Sequence, residues 1–194
     1  MFPTYTDLLP FRQYSEFDVL NAYSTDVTGV GGRFYSFLTG NNNPELSAGD
    51  FSAATPGYNF AGVTNVRYEN KRKITLTASG ATKYEVAGLA LYGTIERDEN
   101  DQKVLFHPER QTELNVLVSG QTSPIATAGV FRLKSTAYIG VPFPGYVGIA
   151  AGAGKVAFVP PTNTGLLHTY GLCKVLSTSG SKFGGYADIK LTLS

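Results

Sequence analysis

Charge is scarce in this chain. Only 16% of its 194 residues are Asp, Glu, Lys or Arg, against about 25% in a typical soluble domain, and the 16 basic and 15 acidic side chains nearly cancel. Such a surface has no net field to draw in nucleic acid or an anionic membrane from a distance, so neither is expected as a partner. A single cysteine, Cys173, excludes an internal disulfide and a cysteine-built zinc site, which points to a reducing compartment. The two histidines, His107 and His168, stand in no H-x-x-x-H pair and beside no cysteine at zinc spacing, and no G-x-S-x-G frames a serine nucleophile. The chain lacks the run of about 18 apolar residues that a membrane helix requires. Its start, MFPTYTDLLPFRQY, has neither the basic segment nor the apolar run of a secretory signal.

Glycine and aromatics are plentiful instead, with 22 Gly, 12 Tyr and 12 Phe. A chain of this length is within the size of one domain and can bury roughly 70% of the surface exposed on unfolding. With so few charges and so many rings, part of the exterior is expected to be covered by a partner or by further copies.

From residue 63 onward, short alternating runs broken by turn residues predict an all-β fold, a small antiparallel barrel or a sandwich. In RKITLTASG, Ile74 and Leu76 oppose Lys73, Thr75 and Thr77. Near the end, Ala187, Ile189, Leu191 and Leu193 alternate with Asp188, Lys190 and Thr192. LALYGTIERDENDQKVLFHP reads as a hairpin with its tip at Asp98 to Gln102, and TELNVLVSG and VFRLKSTAYIG read as further strands. Residues 1–62 read as an extended N-terminal arm and a loop-rich segment that pack on the unit formed by 63–194, the two making one compact domain. Within them, Ser15 with Asp18 three residues later suits the start of a short helix over 16–22, while the aromatic and β-branched content suits a strand, and both readings stay open. GGRFYSFLTG reads as a strand and 40–62 as a loop or meander.

Three motifs invite chemistry. GIAAGAGKVAFVPP, residues 148–161, begins like a phosphate-binding loop, but a P-loop needs glycine where Ile149 stands and Ser or Thr where Val156 stands. The looser dinucleotide spacing of Gly152, Gly154 and Ala157 requires a helix to follow, and Val156, Phe158, Val159, Pro160 and Pro161 favour a strand that stops, so Lys155 is expected to follow a hairpin turn. Asp98, Asn100, Gln102 and Glu109 occupy positions 1, 3, 5 and 12 of a calcium loop, yet Lys103 fills the obligatory glycine position and Pro108 argues against the flanking helix. Carboxylates that meet only in space, as in glycoside hydrolysis, leave a hydrolase as one alternative. No catalytic residue, cofactor or metal ligand is assigned.

Two segments read as contact surfaces. Phe2, Tyr5, Phe11 and Tyr14, with Arg12 among them, lie in a segment punctuated by Pro3 and Pro10 that cannot be one helix and has too much apolar area to stay in water. It docks on a neighbour or packs back on its own chain. Arg67, Lys71, Arg72 and Lys73, around Tyr68, form the one basic cluster, which serves either as a contact patch for an acidic partner surface or a phosphate backbone, or as a charged turn before Ile74 that keeps the strand edge from pairing with other chains.

PFRQYSEFDVLNAYSTD running into GGRFYSFLTG, together with the ending KVLSTSGSKFGGYADIKLTLS, resembles the head decoration, or cement, proteins of tailed bacteriophages. The resemblance covers both ends of the chain and little of residues 40–130. It implies a small β-barrel or β-sandwich without enzyme activity. It also implies a protein made in the bacterial host cytoplasm that sits on the capsid exterior of the virion. There it would bind the major capsid protein as a homo-oligomer, a trimer or a dimer. A tail or fibre β-module that binds host carbohydrate is the other virion role compatible with these residues.

Overall fold

A computed structural model describes residues 5–24, 29–37, 73–98, 100–118, 122–162, 168–179, 185–191 and 193, and every structural statement concerns these. The stretch 40–62 and, of the expected contact residues, Phe2, Arg67, Lys71 and Arg72 lie outside the described residues.

The described strands are, in chain order, β1 (Leu8–Gln13), β2 (Val19–Ser24), β3 (Phe34–Phe37), β4 (Lys73–Leu76), β5 (Val86–Ala90), β6 (Gly93–Ile95) and β7 (Val116–Val118). They continue as β8 (Thr122–Ala126), β9 (Val130–Lys134), β10 (Tyr138–Ile139), β11 (Val147–Gly152), β12 (Lys155–Val159), β13 (Cys173–Ser179) and β14 (Tyr186–Leu191). The fold is all-β and mostly antiparallel. Seven strands form a sheet in the order β1-β9-β14-β13-β11-β12-β10, and five pair in a closed ring, β2-β4-β3-β5-β8. Within the ring only β2 and β4 are parallel.

The alternation of side chains decides how these layers meet. In β3, Phe34 turns outward from the ring and joins Leu89, Phe131, Leu133, Val175 and Ile189 in the main core between ring and sheet. Its neighbour Tyr35 turns inward among Ala22, Ile74, Ala87, Ala90 and Ile125. Three alanines inside match the small bore of a five-strand ring. β5 is buried on both faces, so it carries no polar side chain. Where its pairing with β3 slips, Gly88 lies so close to β8 that a Cβ would collide with the Ala126 carbonyl oxygen.

Residues of the first third take part in both layers. β1 forms one edge of the large sheet beside β9, with Pro10 at a register irregularity between Leu8 and Arg12, which an edge tolerates because the missing N–H has no ladder bond to lose. The stretch 16–22 divides: Glu16–Asp18 is a 3-10 turn and Val19 opens β2. The Asp18 N–H donates to the Ser15 carbonyl at 3.0 Å, and the Ser15 N–H to Asp18 Oδ2 at 3.4 Å.

GIAAGAGKVAFVPP is the β11–β12 hairpin, as its glycines and prolines predict. Its turn, Ala153 and Gly154, reaches the ring: the Phe34 N–H donates to the Gly154 carbonyl at 2.8 Å, and the Gly154 N–H to the Thr77 carbonyl at 3.0 Å. Nearby, the buried Cys173 faces Gly148, where a Cβ would lie 2.5 Å from Sγ, and burial pushes its thiol pKa up to about 12.

The middle of the chain departs from expectation. The tip at Asp98 to Gln102 is a turn, with the Asp98 N–H donating to the Gln102 carbonyl at 2.9 Å. Beyond it the chain forms no returning strand, but a 3-10 turn, Val104–Phe106, and a helix, α1 (Pro108–Leu114). Pro108 stands at the helix start, where its missing N–H costs nothing, so a proline read as a helix breaker is a helix initiator. Of the strand expected over 112–120, residues 112–114 close α1 and Val116–Val118 form β7, which pairs parallel with β6. α1 ends at Asn115, left-handed at φ 52, a conformation asparagine accepts more readily than most residues.

On the outer face of the large sheet, Arg132 clasps Asp188 through Nε–Oδ1 at 2.6 Å and Nη2–Oδ2 at 2.9 Å, and Ser177 Oγ donates to Oδ2 at 2.6 Å. The guanidinium lies 4.0 Å from the Tyr186 ring centroid. The Arg132 hydrogen bonds first, then the Ser177 hydroxyl and the charge of Arg132, hold the Asp188 pKa below the ordinary carboxylate value. A lowered folded-state pKa contributes stability above the ordinary value and loses it as pH falls through the depressed one. Asp188→Asn should therefore cost about 2–3 kcal/mol at pH 7. In urea denaturation the gap between variant and wild type should close below about pH 4. A gap that persists unchanged in acid would contradict the charge assignment.

Candidate functional site

The expected contact residues are dispersed by the fold. Tyr5 is half-buried against Ile95, Val104, Val116 and Val118, and its carbonyl accepts from the Gly31 N–H at 3.0 Å. Phe11 and Arg12 lie in β1, Arg12 opposite Phe131. Tyr14 is 39% exposed and stacks on Phe131 with centroids 5.6 Å apart and planes 20° apart. Tyr5 and Tyr14 thus both have partners within their own chain. Lys73 opens β4 opposite Tyr23 of β2, at the end of the basic segment.

A surface that sequence reasoning missed lies at the other edge of the large sheet. β10 pairs with β12 and ends the strand order. Its Tyr138 turns inward onto Phe158, centroids 5.1 Å apart, and burial raises the Tyr138 pKa. The alternation then places Ile139 outward, 52% exposed, and the following loop carries Val141 at 66% and Phe143 at 51%. The loop is fastened at its end. The Gly145 N–H donates to the Val175 carbonyl at 2.9 Å, and the Val175 N–H to the Tyr146 carbonyl at 2.8 Å, while Phe143 leans on Tyr146 at 5.2 Å. Leu176 on β13, next to that anchor, is also exposed. Single apolar residues on a surface are ordinary, but here a strand edge and its held loop together turn out three large ones, Ile139 from the strand and Val141 and Phe143 from the loop, and such clusters are uncommon on surfaces that stay in water. Its signal is present in VPFPGY: two prolines and a glycine around one phenylalanine leave no regular element to bury it.

A second surface forms where the 98–102 turn meets α1. Asp98 Oδ1 accepts from the Asn100 and Gln102 N–H groups, each at 2.9 Å. These bonds, Gln102 foremost, with Arg110 and His107 adding attraction, lower the Asp98 pKa. Arg110 bridges back, Nε 3.8 Å from Asp98 Oδ2 and Nη1 2.8 Å from Glu113 Oε2. Between turn and helix lies an open cleft of about 650 Å³, with Phe106 on its wall. The calcium-loop spacing is thus explained by the turn: Asp98 binds backbone N–H groups. Among the described residues no three His, Cys, Asp or Glu side chains gather as a metal site, and no helix is long and apolar enough to cross a membrane.

No family model and no curated protein matches this chain.

Proposed function

We propose that this chain is a non-enzymatic virion protein that binds the outside of a bacteriophage capsid as a homo-oligomer and stabilises the assembled shell. One observation carries the docking part of this reading: Ile139, Val141 and Phe143 stand exposed along a sheet edge and its anchored loop. The resemblance of the terminal segments to head decoration proteins supplies the partner. A chain in which only 16% of residues are charged suits contact with a protein lattice through apolar and aromatic groups. Stabilisation then arises by linkage. Binding only the assembled shell, at about 100 times the dissociation constant, adds roughly 2.7 kcal/mol per site.

The test is co-sedimentation with purified, undecorated phage heads. Truncation of the arm is a poor probe, because residues 8–13 are a paired strand of the large sheet. Val141→Glu with Phe143→Glu, both at exposed positions, leaves the core intact and should weaken co-sedimentation at least tenfold. Absence of binding by the wild-type protein would refute the capsid role. Binding unaffected by the two glutamates would move the interface elsewhere.

A further inference from the structure

The cleft between the 98–102 turn and α1 has features that the capsid role does not use. Phe106 is 70% exposed, yet its backbone is held in place. The Phe106 N–H donates to the Lys103 carbonyl at 3.1 Å, the His107 N–H donates to the Val104 carbonyl at 3.0 Å, and Val104 is buried in the satellite core with Ile95, Val116 and Val118. A ring kept in water on a held turn offers a flat apolar platform whose backbone is already ordered, which lowers the cost of binding relative to a ring on a mobile segment. Planar hydrogen-bonding groups share its cleft: the exposed Asn100 and Gln102 amides and the Arg110 guanidinium. Arg110 is oriented by carboxylates on two sides, Asp98 and Glu113.

Charge narrows the ligand. Three carboxylates, Asp98, Glu109 and Glu113, face one guanidinium in the lining, so phosphate, sulfate and uronate groups are repelled. A cationic ligand gains little, because Arg110 already engages Asp98 and Glu113 and an ion pair with the exposed Glu109 is worth about 1 kcal/mol or less in water. A neutral polyhydroxylated ring satisfies both limits. Its flat C–H face covers Phe106, and its hydroxyls both donate and accept, as amide and carboxylate neighbours require.

The geometry points to a binding site for neutral saccharides, with Phe106 as the stacking platform and Asn100, Gln102 and Arg110 as the polar contacts. The cleft is open, so a single ring binds weakly. This site is separate from the Ile139–Phe143 edge and stands or falls independently of the capsid reading.

The experiment is saturation-transfer NMR on the full chain with neutral oligosaccharides containing glucose, galactose, mannose or N-acetylglucosamine, with a heparin fragment as the anionic comparison. Binding to at least one neutral sugar is expected. Phe106→Ala should weaken it at least tenfold, and the double change Asn100→Ala, Gln102→Ala severalfold. All three positions are exposed, and an unchanged wild-type melting curve verifies that each variant folds. The proposal is overturned if no neutral sugar binds, if heparin binds in preference to them, or if Phe106→Ala binds as wild type.

Discussion

Replacing Asp7 with alanine should destabilise the protein by about 3–5 kcal/mol, a large share of the roughly 5–15 kcal/mol that holds an ordinary domain together. The reason is where its bonds go. Asp7 Oδ2 lies 2.5 Å from Arg33 Nη2, with both side chains largely buried, and Oδ1 accepts from Thr136 Oγ1. Its backbone is bound on both sides, the N–H to the Gly31 carbonyl at 2.6 Å and the carbonyl to the Lys134 N–H at 2.8 Å. Lys134 Nζ adds a bond to the Thr6 carbonyl at 3.0 Å. The carboxylate therefore ties the approach to β3 to the 3-10 turn after β9 (Ser135–Ala137), while the Asp7 backbone joins the start of β1 to the end of β9. Its removal strands the Arg33 guanidinium where water barely reaches. Urea denaturation checks the magnitude, and a double variant checks the cause: Asp7→Leu with Arg33→Met removes both charges and should recover at least half of the loss. A cost below about 1 kcal/mol for Asp7→Ala would show that Arg33 finds water or another partner.

Gly154→Val is expected to cost about 3 kcal/mol or more. At φ +68 a β-branched side chain is strained from the outset, and its Cβ would stand 2.8 Å from the Phe34 carbonyl oxygen, from Arg33 Cβ and from Leu76 Cδ2. Two of these three neighbours cannot swing aside, since one is main chain and one is the first carbon of a held side chain. To relieve the clash, the β11–β12 turn must leave the ring and surrender its bonds to Phe34 and Thr77. The adjacent residue supplies an internal control. Ala153 is also left-handed, at φ 49, but exposed, so Ala153→Gly removes strain and should be neutral or stabilising by up to about 1 kcal/mol. Opposite signs at neighbouring positions, read as melting temperatures, distinguish lost docking from a general loosening of the turn. Equal effects would refute the docking account.

Strand alternation made the all-β class legible, and it did so where one face of a strand meets the core and the other meets water. The stretch containing β14 reads correctly because Ala187 and Ile189 turn inward while Lys190 stays outside. The β11–β12 hairpin reads correctly because local requirements coincide, glycines at the turn and prolines at the end. α1 was hidden by Pro108, whose meaning depends on whether it enters a helix or interrupts one, a distinction the next few residues do not resolve. β5 carried no alternation to read, being covered on both faces. The Asp7–Arg33–Thr136 contact is invisible in sequence for another reason: 129 positions separate Asp7 from Thr136, and no periodicity spans that distance. Of the surfaces described, the segment 2–14 drew notice through its aromatic content, although Tyr5 and Tyr14 spend their rings on the chain itself. The exposed loop at 141–143 escaped because apolar residues are ordinarily assigned to the interior.

Cys173 carries a practical consequence. A lone thiol sealed beneath Gly148, and reluctant to ionise, is silent toward alkylating reagents while the large sheet stays closed. The speed at which a maleimide consumes it then measures how often that sheet opens, with no label introduced and no residue changed. Comparing that speed in isolated protein and on intact particles would express any grip of the shell on this fold as a ratio of two half-times.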